Sequence, residues 1–138
     1  DAAGPLDPQC LSGTSTTCPA QRAVISAGGS SSLGKNTDVD ADLLQGSCGG
    51  AGYGELRIGI QANGNFTATF KTRADFDTSL YIVGPDCTGP ELACDNQPGN
   101  GGEELRHDFL DGEEVTVIID GVDGCGDVVL DIETVVSS

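Results

Sequence analysis

The sequence predicts an all-β fold: an antiparallel β-sandwich or jelly roll of about seven or eight strands, stapled by disulfides. Three observations carry this. Apolar residues alternate with polar ones at period two from residue 21 onward. Glycine is abundant, with 21 among 138 residues, and the acid is mostly Asp, so turns are favoured over helix. Six cysteines are scattered along the chain, an even number, which reads as three bridges formed in an oxidising compartment.

Each element follows from its local pattern. Residues 1–20 are polar and rich in Pro, and are expected to form an extended arm closed on itself by Cys10 and Cys18. Residues 21–138 form one sandwich domain. Strands are expected near 22–27, 55–62, 65–72, 78–83, 104–110, 114–120 and 127–135; residues 39–45 are ambiguous. Leu56, Ile58 and Ile60 point one way and Arg57 and Gln61 the other. Phe66, Ala68 and Phe70 share a face, as do Val115, Val117 and Ile119, and Val128, Leu130 and Ile132. Each strand should bury one face and wet the other, as in antiparallel sheets. Asn63-Gly64 and Asp111-Gly112 each lie between two such strands and read as hairpin turns. The runs Gly28–Ser32 and Pro98–Gly102 precede no helix and read as flexible loops, not phosphate cradles.

Charge narrows the function. Six Lys+Arg stand against 22 Asp+Glu, a net charge of −16. Such a field repels phosphate backbones, which removes nucleic acid as a partner. No run of 18 apolar residues is present, so no helical membrane span is expected. The lack of any Cys-x-x-Cys pair, with a single His, argues against zinc. The chain begins at Asp1 with no apolar leader, which fits an exported protein whose signal has been removed.

The thiols pair most simply as Cys87–Cys94 across a short loop, Cys10–Cys18 locally, and Cys48–Cys125 between two Gly-rich turns. Six cysteines allow 15 pairings, so the sequence leaves the alternatives open.

Phe76-Asp77-Thr78-Ser79-Leu80-Tyr81, the Cys87…Cys94-Asp95-Asn96 loop, the strand ending Ile119-Asp120-Gly121 and the upstream stretch from Leu33 to Leu56 together resemble the pre-peptidase C-terminal domain. The resemblance spans about residues 24–133. It implies a jelly-roll-like sandwich without catalytic residues, secreted as an accessory module beside peptidases or in cell-surface proteins, in some members binding calcium or matrix polymers. Asp95-Asn96 stands where the family usually carries two aspartates.

Calcium needs six to eight oxygen ligands. Candidates are Asp38, Asp40 and Asp42, which alternate; Asp77, with Asp75 two residues before it; Asp95 and Asn96; and Asp120, near Asp123 and Asp127. None forms an EF-hand. The competing role for Asp77 and Asp120 is turn capping through backbone N–H groups. His107 alternates with Leu105 and Phe109 and is expected as a hydrogen-bonded structural residue, with no Gly-x-Ser-x-Gly motif to serve it. Scattered carboxylates could form a glycosidase pair, but the few aromatics leave no sugar-stacking platform. Asn65-Phe66-Thr67 is a formal glycosylation sequon.

The expected function is therefore a non-catalytic secreted or cell-surface binding module, with calcium as the only candidate cofactor. Its partner would be a protein or polysaccharide at the cell surface. The alternative is a structural subunit of an extracellular assembly, pairing with copies of itself through the arm or the sheet edges.

Overall fold

The computed structural model describes residues 21–36, 47–48, 55–88, 90–122 and 127–136. They form two sheets. The strands are β1 (Gln21–Ser26), β2 (Ser30–Asn36), β3 (Glu55–Asn63), β4 (Phe66–Ala74) and β5 (Thr78–Val83). After them come β6 (Ala93–Asp95), β7 (Glu104–Phe109), β8 (Glu114–Gly121) and β9 (Asp127–Val136). One sheet has the order β1-β3-β8-β5-β6 and the other β2-β9-β4-β7. All seven expected strands are present within about two residues of their expected bounds. The expected arm and the ambiguous segment 39–45 lie outside the described residues.

The core lies between the sheets, where the alternation put it. Leu56, Ile58 and Ile60 of β3, Leu80 and Ile82 of β5 and Val115, Val117 and Ile119 of β8 face Phe66, Ala68 and Phe70 of β4 and Val128, Leu130 and Ile132 of β9. Phe109 completes this layer, its ring tilted against Phe66 at 5.3 Å and edge-on to Phe70 at 6.3 Å. Such pairs contribute about 0.5–1.5 kcal/mol beyond area burial.

Four expectations are corrected. The Asn63-Gly64 and Asp111-Gly112 turns are not hairpins. β3 and β4 lie in different sheets, as do β7 and β8, so both turns are corners that carry the chain across the sandwich. The corners interlock: Gly64 N donates to Asp111 Oδ1 at 2.8 Å, and Asp111 N donates to Asn65 Oδ1 at 2.8 Å. Turn chemistry supplies the positive φ, here 117° at Gly64 and 82° at Gly112, but does not say which sheet the next strand joins.

Residues 30–32 are not loop. They open β2, whose seven residues pair antiparallel with β9, Leu33 opposite Leu130. β1 pairs parallel with β3, because the chain leaves β1 for the other sheet and re-enters beside it in the same direction. Finally, the five-stranded sheet is buried on both faces at its centre. Every residue of β5 is buried, as are Val115–Gly121 of β8. Tyr81, Val83 and Ile118 form a second apolar cluster on the outer face, with Cys94 packed beside them.

Candidate functional site

At one end of the sandwich the gap between the sheets is closed by a buried acid. Glu103 continues the inward series of Leu105, His107 and Phe109 and is fully buried. Its Oε1 accepts from Thr72 Oγ1 of the four-stranded sheet at 2.8 Å and from Thr78 Oγ1 of the five-stranded sheet. Its Oε2 accepts from Gln97 N at 3.0 Å. Burial pushes the Glu103 carboxyl above the usual glutamate range, and the bonds from Thr78, Thr72 and Gln97 partly oppose that shift. Beside it, Asp77 bridges to Asn100, and Gly101 N and Gly102 N donate to Phe76 O and Thr72 O at 3.1 and 3.0 Å. Gly101 has φ 57°, and a Cβ there would sit 2.9 Å from Ala74 N. The loop can rest on β4 only because that residue is glycine.

Of the expected calcium ligands among the described residues, Asp77 and Asp120 lie on one strand pair and Asp95 and Asn96 on β6 and just after it. Asp120 is buried on the outer face of β8 and accepts from Tyr81 Oη at 3.2 Å. Asp120 stands opposite Ser79, and Val122 N donates to Asp77 O at 2.9 Å. Asp77 and Asp120 are therefore diagonal neighbours on one strand pair. Asp95 lies opposite Leu80 and is held elsewhere. Its Oδ1 accepts from Gln97 Nε2 at 2.6 Å and its Oδ2 from Glu104 N at 2.8 Å, so it joins β6 to β7. Asn96 turns its amide nitrogen to Cys48 O at 3.0 Å. Each carboxylate oxygen of Asp95 thus accepts one N–H, and the Asn96 amide nitrogen is engaged by backbone. Among the described residues no three His, Cys, Asp or Glu gather to hold a metal. Asp38, Asp40, Asp42 and Asp123 lie outside the described residues.

Cys94 bonds Cys48, with Cα atoms 5.9 Å apart. This corrects both Cys87–Cys94 and Cys48–Cys125. The reason is register. β5 and β6 do form a hairpin, with Cys94 opposite Tyr81, but Cys87 lies beyond the end of β5, its amide donating to Thr116 Oγ1 of β8 at 3.1 Å. β6 and β8 flank β5 on opposite sides, about 9.5 Å apart. Cys87 is thus held on the β8 side of β5 and Cys94 on the other. Cys87 is itself disulfide-bonded. Cys10, Cys18 and Cys125 lie outside the described residues. Next to the Cys48–Cys94 bridge, Ser47 N donates to Glu91 Oε1 at 2.8 Å.

His107 is structural, as expected. Its Nε2 lies 2.9 Å from Glu113 Oε2, and its ring stands edge-on to Phe109 at 4.6 Å. Glu113 Oε1 accepts from Leu110 N at 3.1 Å, which fixes the β7–β8 corner. Sequence reasoning missed two buried charges. Glu103 shares its parity with Leu105, His107 and Phe109, a signal that was available. Arg57 points away from the core as expected, yet is fully buried, on the doubly covered face.

Comparison with known proteins places the fold. No family model and no curated protein matches the chain. Among solved structures it is similar to the pre-peptidase C-terminal domain of a collagenase from Bacillus anthracis. The TM-score is 0.53 at 9% identity, over 81% of this chain and 94% of that one. It is also similar to PliG of Aeromonas hydrophila, a periplasmic lysozyme inhibitor of g-type lysozyme. There the TM-score is 0.51 at 9% identity, over 83% of this chain and 97% of that one. At such identity the likeness is one of fold, and the chain has the pre-peptidase C-terminal type of β-sandwich.

Proposed function

We propose that the chain is an exported, non-catalytic binding module. The observation that carries this reading is how its most reactive-looking groups are used. Buried Glu103 spends both carboxylate oxygens joining the two sheets and the Gln97 loop. His107 and Glu113 hold a corner. These are bracing roles, and a brace is what a rigid recognition scaffold needs. The Cys48–Cys94 bridge supports export to an oxidising compartment. Both similar structures support the reading as well: one is a domain of a collagenase, the other a periplasmic inhibitor of a lysozyme. A net charge of −16 favours a cationic protein surface over an anionic polymer.

Calcium belongs to this reading only if Asp38, Asp40 and Asp42 bring further oxygens to the Asp77–Asp120 face. A melting temperature raised by millimolar Ca²⁺, and restored to its starting value in an Asp40→Asn variant, would establish that role.

The module reading is tested by fractionating cells that make the native chain and sizing the result under non-denaturing conditions. The expected result is a fully oxidised protein outside the cytoplasm, eluting with a different protein bound. A reduced cytoplasmic chain without a partner would overturn the reading. Elution as a ladder of self-assembled species would replace it with the structural subunit.

A further inference from the structure

The described strands leave four sheet edges: β1 and β6 on one sheet, β2 and β7 on the other. An open edge presents a row of unpaired N–H and C=O groups, and folded chains blunt such rows with charge, brevity or a cover. Three of the four edges carry such a device. β7 has Glu104, Arg106 and Asp108. β6 is three residues long and is tied to Cys48 through Cys94. β2 has Lys35 and opens on three serines. β1 has neither acid nor lysine. Its one charge, Arg22, is held against its own chain by Asp86 at 3.0 Å and Glu114 at 3.8 Å.

β1 is also preformed. It lies parallel on β3, with Ile25 buried and Ala23 packed against the core. Among the described residues nothing pairs with its far side. Every second residue of such a strand turns its N–H and C=O away from the sheet. Val24, between Ala23 and Ile25, stands on the outer face beside Gln61 and is 65% exposed. A partner strand would not have to order this edge, which removes one cost of association.

The sequence of β1 is complementary to itself. Opposite residues in an antiparallel pair share a face of the sheet, so inward Ala23 and Ile25 must meet inward residues and Val24 an outward one. A two-fold axis at Val24 achieves this. It sets Val24 against Val24 of a second copy, Ala23 against Ile25, and Arg22 against Ser26. Aliphatic then meets aliphatic on both faces, and no like charges oppose. Moving the axis to Ala23 would set Arg22 against Val24 and Gln21 against Ile25, polar against apolar. Moving it to Ile25 would leave only the stretch from Val24 to Ser26 paired. The free edge ends at Ser26, whose carbonyl accepts from Thr134 Oγ1 at 2.8 Å. A chain of net charge −16 repels its own copies wherever acids meet, and β1 brings no acid to the contact.

We propose that β1 is a dimerisation edge. Two copies of this chain join antiparallel through Arg22–Ser26, about a two-fold axis at Val24, so that their five-stranded sheets become one continuous sheet. A two-fold contact closes on itself and gives a dimer, not a ladder. The proposal is independent of which partner the binding module takes.

Sedimentation velocity of the full chain tests it. Five paired residues make a small interface, so half-dimerisation is expected at about 0.1 mM protein, and at lower concentration as salt screens the net charge. Val24→Lys, at an exposed position, sets two ammonium groups face to face on the axis. It is expected to raise the dimer Kd at least about tenfold with the melting temperature nearly unchanged. Val24→Cys supplies the converse. Directly opposite residues in an antiparallel pair have Cα atoms about 4.5–5.5 Å apart, within the range that a disulfide spans. Under mild oxidation this variant is expected to form a covalent dimer, linked from position 24 of one copy to position 24 of the other in a non-reducing peptide map. A chain still monomeric at about 1 mM, a dimer unaffected by Val24→Lys, or a Val24→Cys variant that oxidises without that link would each overturn the proposal. A strictly monomeric chain would leave the binding-module reading intact.

Discussion

Thr72 and Glu103 bind each other three times: Thr72 N donates to Glu103 O at 3.1 Å, Glu103 N to Thr72 Oγ1 at 3.1 Å, and Thr72 Oγ1 to Glu103 Oε1 at 2.8 Å. Thr78, from the other sheet, donates to the same carboxylate oxygen. One acid thus ties together both sheets and the loop before β7, at the end where the core thins out.

That arrangement has a pH signature. The fold raises the Glu103 pKa, so the native state holds this proton to higher pH than the unfolded chain does. Stability contributed through this group is therefore present at low pH and declines as pH rises from the ordinary glutamate value toward the raised one. Glu103→Gln should flatten that decline in urea denaturation measured across the range. Glu103→Ala should cost about 2–4 kcal/mol at low pH, because it strands the hydroxyls of Thr72 and Thr78 in the interior, and less as pH rises toward the raised value. An unchanged pH slope in the glutamine variant would show that the acid is ionised in both states.

The Cys48–Cys94 bridge spans a sequence separation of 46. In the chain-entropy model a loop of that size stabilises by about 4 kcal/mol. The paired Cys48→Ala and Cys94→Ala variant should melt on the order of 10 °C lower by calorimetry. A loss of a degree or less would mean that the unfolded chain is already compact around this segment.

Phe109 and Leu110 are neighbours with opposite roles. Phe109 is 1% exposed and sits between Phe66 and Phe70, so Phe109→Ala should cost about 3–5 kcal/mol. Leu110→Ser should change stability by less than about 0.5 kcal/mol. Equal losses would place Leu110 in the core.

Gly101→Ala should destabilise by about 1–3 kcal/mol, since φ is 57° there and the new methyl would press on Ala74 N. The same substitution at Gly99, also at positive φ but with open space around it, should cost less. Calorimetry of the pair separates the steric effect from the backbone effect.

The sequence carried most of the fold because strand alternation is a local signal. Phe66, Ala68 and Phe70 could be assigned to one face without knowing their partners. What crosses between sheets was not legible. Asn63-Gly64 specifies a tight turn in either a hairpin or a corner, and only the pairing of β4 with β7 and β9 decides between them. β2 escaped notice because Ser30–Ser32 and Gly34 offer no alternation, and the strand is recruited by the β9 ladder and by Leu33. The cysteines misled for the same reason: closeness along the chain favoured Cys87–Cys94, whereas the register set Cys94 on the outer face beside Tyr81. Glu103 was readable from its parity, but an acid two residues before a strand's apolar series is easily taken as loop.

Peptide mapping of the native protein under non-reducing conditions probes the whole account most directly. It should yield a linked peptide pair containing Cys48 and Cys94 and no free thiol. A protein isolated with six free thiols, or with Cys94 linked to Cys87, would contradict both the topology of the five-stranded sheet and the case for export.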